Sequence, residues 1–162
     1  NNAKMTFDHL LNKVPVNPEQ VHVMRTDIEP EQSALEYQKM LHTYFGTEGN
    51  SFDLVLSGMG DDGHTLSLFP GTEVIHETKD WVKAFYLTAQ QMYRITLTAP
   101  VVNRASSVVF LTFGANKAKA LYEVLEGEPN ADIYPSQIIQ PASGKLHWFV
   151  DEPAAALLDK KA

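Results

Sequence analysis

Asp53-Leu-Val-Leu-Ser-Gly-Met-Gly-Asp-Asp-Gly-His-Thr-Leu-Ser-Leu-Phe-Pro-Gly71 is the stretch that decides the fold of this chain. Phe52 to Leu56 is almost wholly apolar and rich in β-formers, which predicts a strand covered on both faces in a parallel sheet. Gly58, Gly60 and Gly63 then end the strand, and bare backbone at these positions lets N–H groups approach whatever sits above the strand end. Thr65 to Phe69 reads as a short helical turn closed by Pro70-Gly71, with Asp62 capping its open N–H groups. In open α/β sheets, ligands bind just beyond the carboxyl ends of the strands. This loop delivers Asp61, Asp62 and His64 to that place.

On this reading His64 lies in the first turn of a helix, where the positive end of the macrodipole favours the neutral imidazole that a general base requires. Asp61 and Asp62 favour the cation instead. A carboxylate bonded to one ring nitrogen also fixes the tautomer and aims the other nitrogen. An isolated Gly-x-Gly more often turns a chain than builds a site, so the weight rests on the whole block.

Outward from this block, helix and strand alternate. Lys4–Val14 has helical spacing, Val21–Met24 reads as a short strand, and Glu31–Phe45 as a helix with Ala34, Tyr37, Met40, Leu41 and Tyr44 on one side. Strands follow near Trp81–Leu87, Arg94–Leu97 and Val108–Phe113, then a helix over Ala115–Leu125, a strand over Leu146–Val150 and a terminal helix from Pro153. The pattern predicts one α/β domain over residues 1–162, a Rossmann-like three-layer sandwich with a mostly parallel sheet and right-handed crossovers.

Composition limits the function. At 162 residues and 44% apolar, the chain is long enough for a substantial core. Zero cysteines exclude disulfides and thiolate metal sites and suit a cytoplasmic protein. No apolar run approaches the roughly 20 residues of a membrane span. A net charge of −7 argues against a nucleic-acid partner, whose phosphates need a basic surface. The remaining histidines show no metal-binding spacing, and neither a metal nor a cofactor is expected. The oligomeric state is not legible in the sequence.

A single phosphate can still be held locally. Lys117 follows a strand end and Gly114 at the start of a predicted helix, where the dipole favours anions, although its spacing suits an ordinary solvated lysine equally. Arg94 opens a strand and Arg104 ends a short helix. Either suits a bidentate phosphate contact or a surface ion pair, and Arg94 is the preferred one.

The Gly58-Met-Gly-Asp-Asp-Gly-His64 core, continued by Ser67-Leu-Phe-Pro-Gly71, closely resembles the signature of the 6-phosphogluconolactonases. Those enzymes hydrolyse 6-phosphoglucono-δ-lactone to 6-phosphogluconate in the pentose phosphate pathway. The related glucosamine-6-phosphate deaminases share a looser core and typically place Asn-Glu-Pro-Gly where this chain has Leu68-Phe-Pro-Gly71. Arg94-Ile-Thr-Leu-Thr98, Asn103-Arg104-Ala105, Gly114 to Ala118, Pro135-Ser136 and Gly144 to Asp151 extend the resemblance over nearly the whole chain. Two features depart from it. Ala89 to Tyr93 stands where the family often has Lys-Pro-Pro, and the family's opening strand, Ser-Gly-Gly phosphate loop and Asp-Glu-Arg segment do not occur. Asn1-Asn2 resembles the Ser-Asn that follows that segment, so the chain is read as the carboxyl-terminal two-thirds of such a protein, its N-terminal strand-helix units missing.

The resemblance implies a site in which His64 activates water and Asp62 orients it. Backbone N–H groups of the Gly58–Gly60 loop would stabilise the oxyanion, while Lys117 and Arg94 hold the substrate phosphate. Two other functions stand beside it. An aldose–ketose isomerase or deaminase on the same fold needs an acid/base pair, which Leu68-Phe69 in place of Asn-Glu disfavours. A non-catalytic sugar-phosphate sensor is favoured by the missing phosphate loop and disfavoured by an intact His64 with its flanking acids.

Overall fold

The computed structural model describes residues 2–46, 49–142 and 144–159, so Asn1 lies outside the described residues. Its centre is a three-stranded parallel sheet in the order β1 (Val55–Gly58), β4 (Ser107–Thr112), β5 (Lys145–Val150). The register sets Val55 beside Val108 and Gly58 beside Leu111, with Phe110 beside Trp148. The carboxyl ends of β1 and β4 are therefore neighbours, and the loops leaving them share one edge of the sheet.

The expected strands at residues 81–97 form, but not in this sheet. β2 (Val82–Leu87) and β3 (Met92–Leu97) pair antiparallel as a separate hairpin, turned by Gln91 in the left-handed region at φ 50°. Strands only a few residues apart can close a hairpin, whereas a parallel partner needs a long crossover. The hairpin carries α2 (Pro30–Phe45) against it, and Gln38 of that helix accepts hydrogen bonds from the Trp81 and Val82 amides at 2.6 and 3.1 Å. Pro30 occupies the first helical turn, where a missing N–H costs nothing.

Several expected elements are shorter or absent. The amino-terminal helix α1 runs only over Asn2–His9, followed by a 3-10 turn at Leu11–Lys13. Val21–Met24 forms no strand and pairs with none among the described residues. After the short helix α3 (Ala99–Val102), the helix expected over Ala115–Leu125 is a 3-10 turn at Ala115–Lys117 leading into α4 (Ala118–Leu125). Among the described residues no helix follows Pro153. The chain there is a series of turns, begun by Asp151, whose carboxylate takes the Ala154 amide at 2.9 Å.

Val55, Val108 and Phe110 join Ala34 and Leu41 of α2, Val101 and Val102 of α3, and Leu121 of α4 in one buried cluster. The opposite face of the sheet is different. Leu56 of β1 is 61% exposed and Phe149 of β5 is 57% exposed, with Leu111 of β4 and the flanking Leu54 and Phe113 also open to solvent. The expectation of a strand covered on both faces thus fails within this chain: β1 is covered on one face, and the face that a third layer would cover is bare.

Candidate functional site

β1 ends in a tight turn from Gly60 to Gly63, in which the Gly63 N–H donates to the Gly60 carbonyl at 3.2 Å. Gly63 adopts φ 78°, a left-handed conformation that glycine enters without strain. A side chain there would also run into Tyr134, 2.9 Å from the ideal Cβ position. The neighbouring Ser136, itself buried, donates to the Gly63 carbonyl from both its backbone N–H at 3.0 Å and its hydroxyl at 2.8 Å. From below, the buried Thr65 hydroxyl donates to the Gly58 carbonyl at 2.9 Å and accepts from the Ser57 hydroxyl at 2.6 Å. The loop is held at both ends by groups that cannot leave without stranding buried polar atoms.

His64 and Asp62 meet in this turn. The Asp62 carboxylate accepts the His64 backbone N–H at 3.0 Å and the ring Nδ1–H at 2.6 Å through the same oxygen, Oδ1. Partial burial pushes the Asp62 carboxyl upward, but the hydrogen bonds from the His64 backbone and ring outweigh it and hold the carboxyl below the usual carboxylate range. An ionised carboxylate only accepts, so Nδ1 carries a proton, and the tautomer this selects leaves the lone pair on Nε2. Gly60 makes this pairing possible. A Cβ at position 60 would lie 2.2 Å from His64 Nδ1 and 2.4 Å from Asp62 Oδ1.

Two details depart from the sequence reading. Thr65 to Phe69 is not helical: Leu66 is in the left-handed region at φ 55°, and Thr65 pairs with Leu68 in an isolated antiparallel bridge. No helix dipole therefore acts on His64 from this segment, and the Asp62 cap closes a loop instead of starting a helix. The Gly60 N–H is also engaged, donating to the His64 carbonyl at 2.8 Å, so it is not an open oxyanion donor. Asp61 and Asp62 stand at the central positions of the turn, where a β-turn uses neither N–H for its own closure. At Gly58 a Cβ would meet only the Leu111 carbonyl at 3.8 Å, an ordinary contact, so packing within this chain does not require glycine there.

The cations occupy different surroundings. Lys117 lies just past the carboxyl end of β4, on the same sheet edge as the His64 loop, with no ion pair among the described residues. The anion expected at the start of its helix is already supplied from inside: the Asp151 carboxylate accepts the Gly114 N–H at 2.9 and 3.1 Å. Arg94, on the hairpin, donates to the Gln90 side-chain oxygen and holds its Cζ 5.8 Å from the centre of the Phe69 ring. It lines a cavity of about 800 Å³ together with Arg25, Ser67 and Tyr93. Arg104 is elsewhere, its Cζ 5.4 Å from the Trp81 ring centre. Phe69 connects Arg94 to the dyad, because its ring stacks on His64 with centroids 4.2 Å apart and planes 24° from parallel. Sequence reading used Phe69 only as a mark of resemblance; its contact depends on the Leu66 turn, which no residue type in the segment announces. Among the described residues no group of three or more His, Cys, Asp or Glu side chains is arranged to hold a metal ion, and no helix is long and apolar enough to cross a membrane.

A parallel sheet with a polar, tightly cross-braced loop at the carboxyl edge of its first strand defines an open α/β protein, a class in which ligands bind at the strand ends. Within that class the chain belongs to the glucosamine-6-phosphate isomerase/6-phosphogluconolactonase family, whose model matches residues 1–148. A 6-phosphogluconolactonase of Homo sapiens is 38% identical over 154 residues, covering 93% of this chain and 58% of the relative. One from Synechocystis is 40% identical over 157 residues, covering 94% of this chain and 64% of the relative. The crystal structure of a devB protein matches with a TM-score of 0.86 at 27% identity, over 97% of this chain and 66% of the other. The chain thus spans less than two thirds of the length of these relatives.

Proposed function

We propose that this protein hydrolyses 6-phosphoglucono-δ-lactone to 6-phosphogluconate, with His64 as general base. The observation that carries the reading is the Asp62–His64 pair, with Nδ1 tied to an ionised carboxylate and Nε2 without a partner among the described residues. His64 Nε2 takes a proton from water as the water oxygen bonds to the lactone carbonyl carbon. The negative charge moves to the carbonyl oxygen, where the Asp61 amide is the donor this turn offers in place of the Gly60 amide. The tetrahedral intermediate collapses by breaking the bond between the carbonyl carbon and the ring oxygen, and the proton on His64 passes to that oxygen. The products are a carboxylic acid, which ionises, and a free hydroxyl.

Lys117 is the proposed phosphate ligand, since it shares the sheet edge with His64 and makes no ion pair among the described residues. Arg94 is the second, lining the cavity together with Ser67. Gly58 and Gly60 form the floor of the site, Gly60 by making room for the dyad. The names of the relatives support a lactone substrate, and the Ser67-Leu-Phe-Pro-Gly71 continuation supports it over an isomerase or deaminase.

The test is acid release from freshly prepared 6-phosphoglucono-δ-lactone above the spontaneous rate, with unphosphorylated gluconolactone as control. His64→Ala is expected to lower kcat by about 100-fold or more, in the range general-base assistance provides, and to leave KM within a few fold. Unchanged turnover removes His64 from the mechanism. Equal rates on the two lactones remove the phosphate site.

A further inference from the structure

The His64 imidazole is tethered at Cγ, so its soft motion is rotation about the Cβ–Cγ bond, which swings Nε2 through an arc. The 2.6 Å bond from Nδ1 to Asp62 opposes that rotation from the ring edge. A flat surface against the ring opposes the same rotation from its face. Phe69 is such a surface, its ring centroid 4.2 Å away and its plane within 24° of parallel.

Phe69 is itself held by more than its own loop. The Leu66 turn and the Thr65–Leu68 bridge bring the chain back on itself, and the Ser67 N–H donates to the Thr96 hydroxyl of β3 at 3.1 Å. Two residues before Thr96 on the same strand, Arg94 places its guanidinium at the Phe69 ring, and Gln90 restrains that guanidinium. A cation near an aromatic face is attracted by the ring quadrupole, and this restricts the ring further. The hairpin lies outside the parallel sheet, yet it reaches the dyad through this one aromatic side chain.

We infer that Phe69 is a positioning residue for His64: its ring, set by the hairpin through Thr96 and Arg94, holds the imidazole plane so that Nε2 stays in one direction while Asp62 holds Nδ1. The inference rests on the general-base reading of His64. Phe69 touches no reacting atom in it. Misplacement of a reacting group by about 1 Å costs on the order of 100-fold in rate, so loss of a ring-plane restraint is expected in kcat and not in KM.

The experiment uses Phe69→Met, which fills similar space without an aromatic face, and Phe69→Tyr, which restores the face. Phe69→Leu serves as a second non-aromatic variant should the first not fold. Two quantities are measured. One is the ¹H–¹³C NMR signal of the His64 ring, assigned by its disappearance in His64→Gln; a proton over a neighbouring aromatic face is displaced by the ring current. The other is lactone hydrolysis. The inference expects the His64 signal to move on Phe69→Met and to return near its original position on Phe69→Tyr. It also expects kcat to fall about 10- to 100-fold with KM within about twofold, and Tyr to restore most of kcat. A His64 signal that does not move, or a loss confined to KM, overturns it. Absence of lactone hydrolysis in the unsubstituted protein overturns the lactonase reading and the inference that rests on it, whereas hydrolysis with kcat unchanged in Phe69→Met overturns the inference alone.

Discussion

Both faces of the parallel sheet carry large apolar side chains, and their environments are opposite. On one face Val55, Val108 and Phe110 lie within the buried cluster, Phe110 stacked on Trp148 with ring centroids 3.9 Å apart and planes 6° from parallel. On the other, Leu56, Leu111 and Phe149 stand in solvent. Apolar side chains on a strand thus report what a face is suited to pack against, and only the packing of other elements reports whether this chain supplies it. α2, α3 and α4 all contribute to the first face. Exposed contiguous apolar surface of this kind commonly marks a contact site.

The largest expected effect breaks the covered face. Phe110→Ala removes a fully buried ring and leaves a cavity beneath Trp148, at a cost of about 3–5 kcal/mol, measured as a lower urea midpoint with Trp fluorescence as the probe. A cost no greater than that of a surface substitution would mean the two faces do not differ in the folded protein.

A smaller effect sharpens the comparison through pH. Glu77 accepts the amides of Thr78, Lys79 and Asp80 at 2.8–3.0 Å and pairs with Lys83 at 3.2 Å, just before the hairpin that presents Trp81 and Val82 to the core. Partial burial pushes its carboxyl up, but these amides and the ammonium together bring it down to about 2 from an ordinary 4.5. Because the folded value lies below the unfolded one, the stabilisation is complete above about 4.5 and is lost as pH falls toward about 2. Glu77→Gln should flatten the dependence of the urea midpoint on pH in that window, and an unaltered slope would assign acid unfolding to other carboxyls.

The smallest effect belongs to the bare face. Phe149→Thr keeps a good strand former and is expected to change stability by no more than about 0.5 kcal/mol while reducing binding of an apolar dye such as anilinonaphthalene sulfonate. A cost approaching that of Phe110→Ala would show that Phe149 is covered in solution by something outside the described residues.

The site was legible to different depths. Asp62 and His64 were readable as a pair because a carboxylate two residues from a histidine on a tight glycine turn is within reach of both its backbone N–H and its ring. The Gly60 requirement was half readable: glycine was visible, but its reason, room for His64 and Asp62, is a distance. Asp151 at the Gly114 amide was not readable, since 37 residues separate the partners. The helix over Thr65–Phe69 was read incorrectly because the apolar spacing there serves a left-handed Leu66 and a short bridge, neither of which has a residue signature.

By itself, the sequence determined the alternation of helix and strand, the place where the chain must turn on glycine, and the acid–histidine pair set in that turn, because these depend on neighbours within a few residues. Tertiary structure alone decided that β2 and β3 leave the sheet as a hairpin, that Phe69 rather than a helix dipole meets the His64 ring, and that one face of the sheet is buried while Leu56, Leu111 and Phe149 on the other are not. Those outcomes depend on which distant surfaces come into contact, and local residue type sets the affinity of a surface without naming its partner.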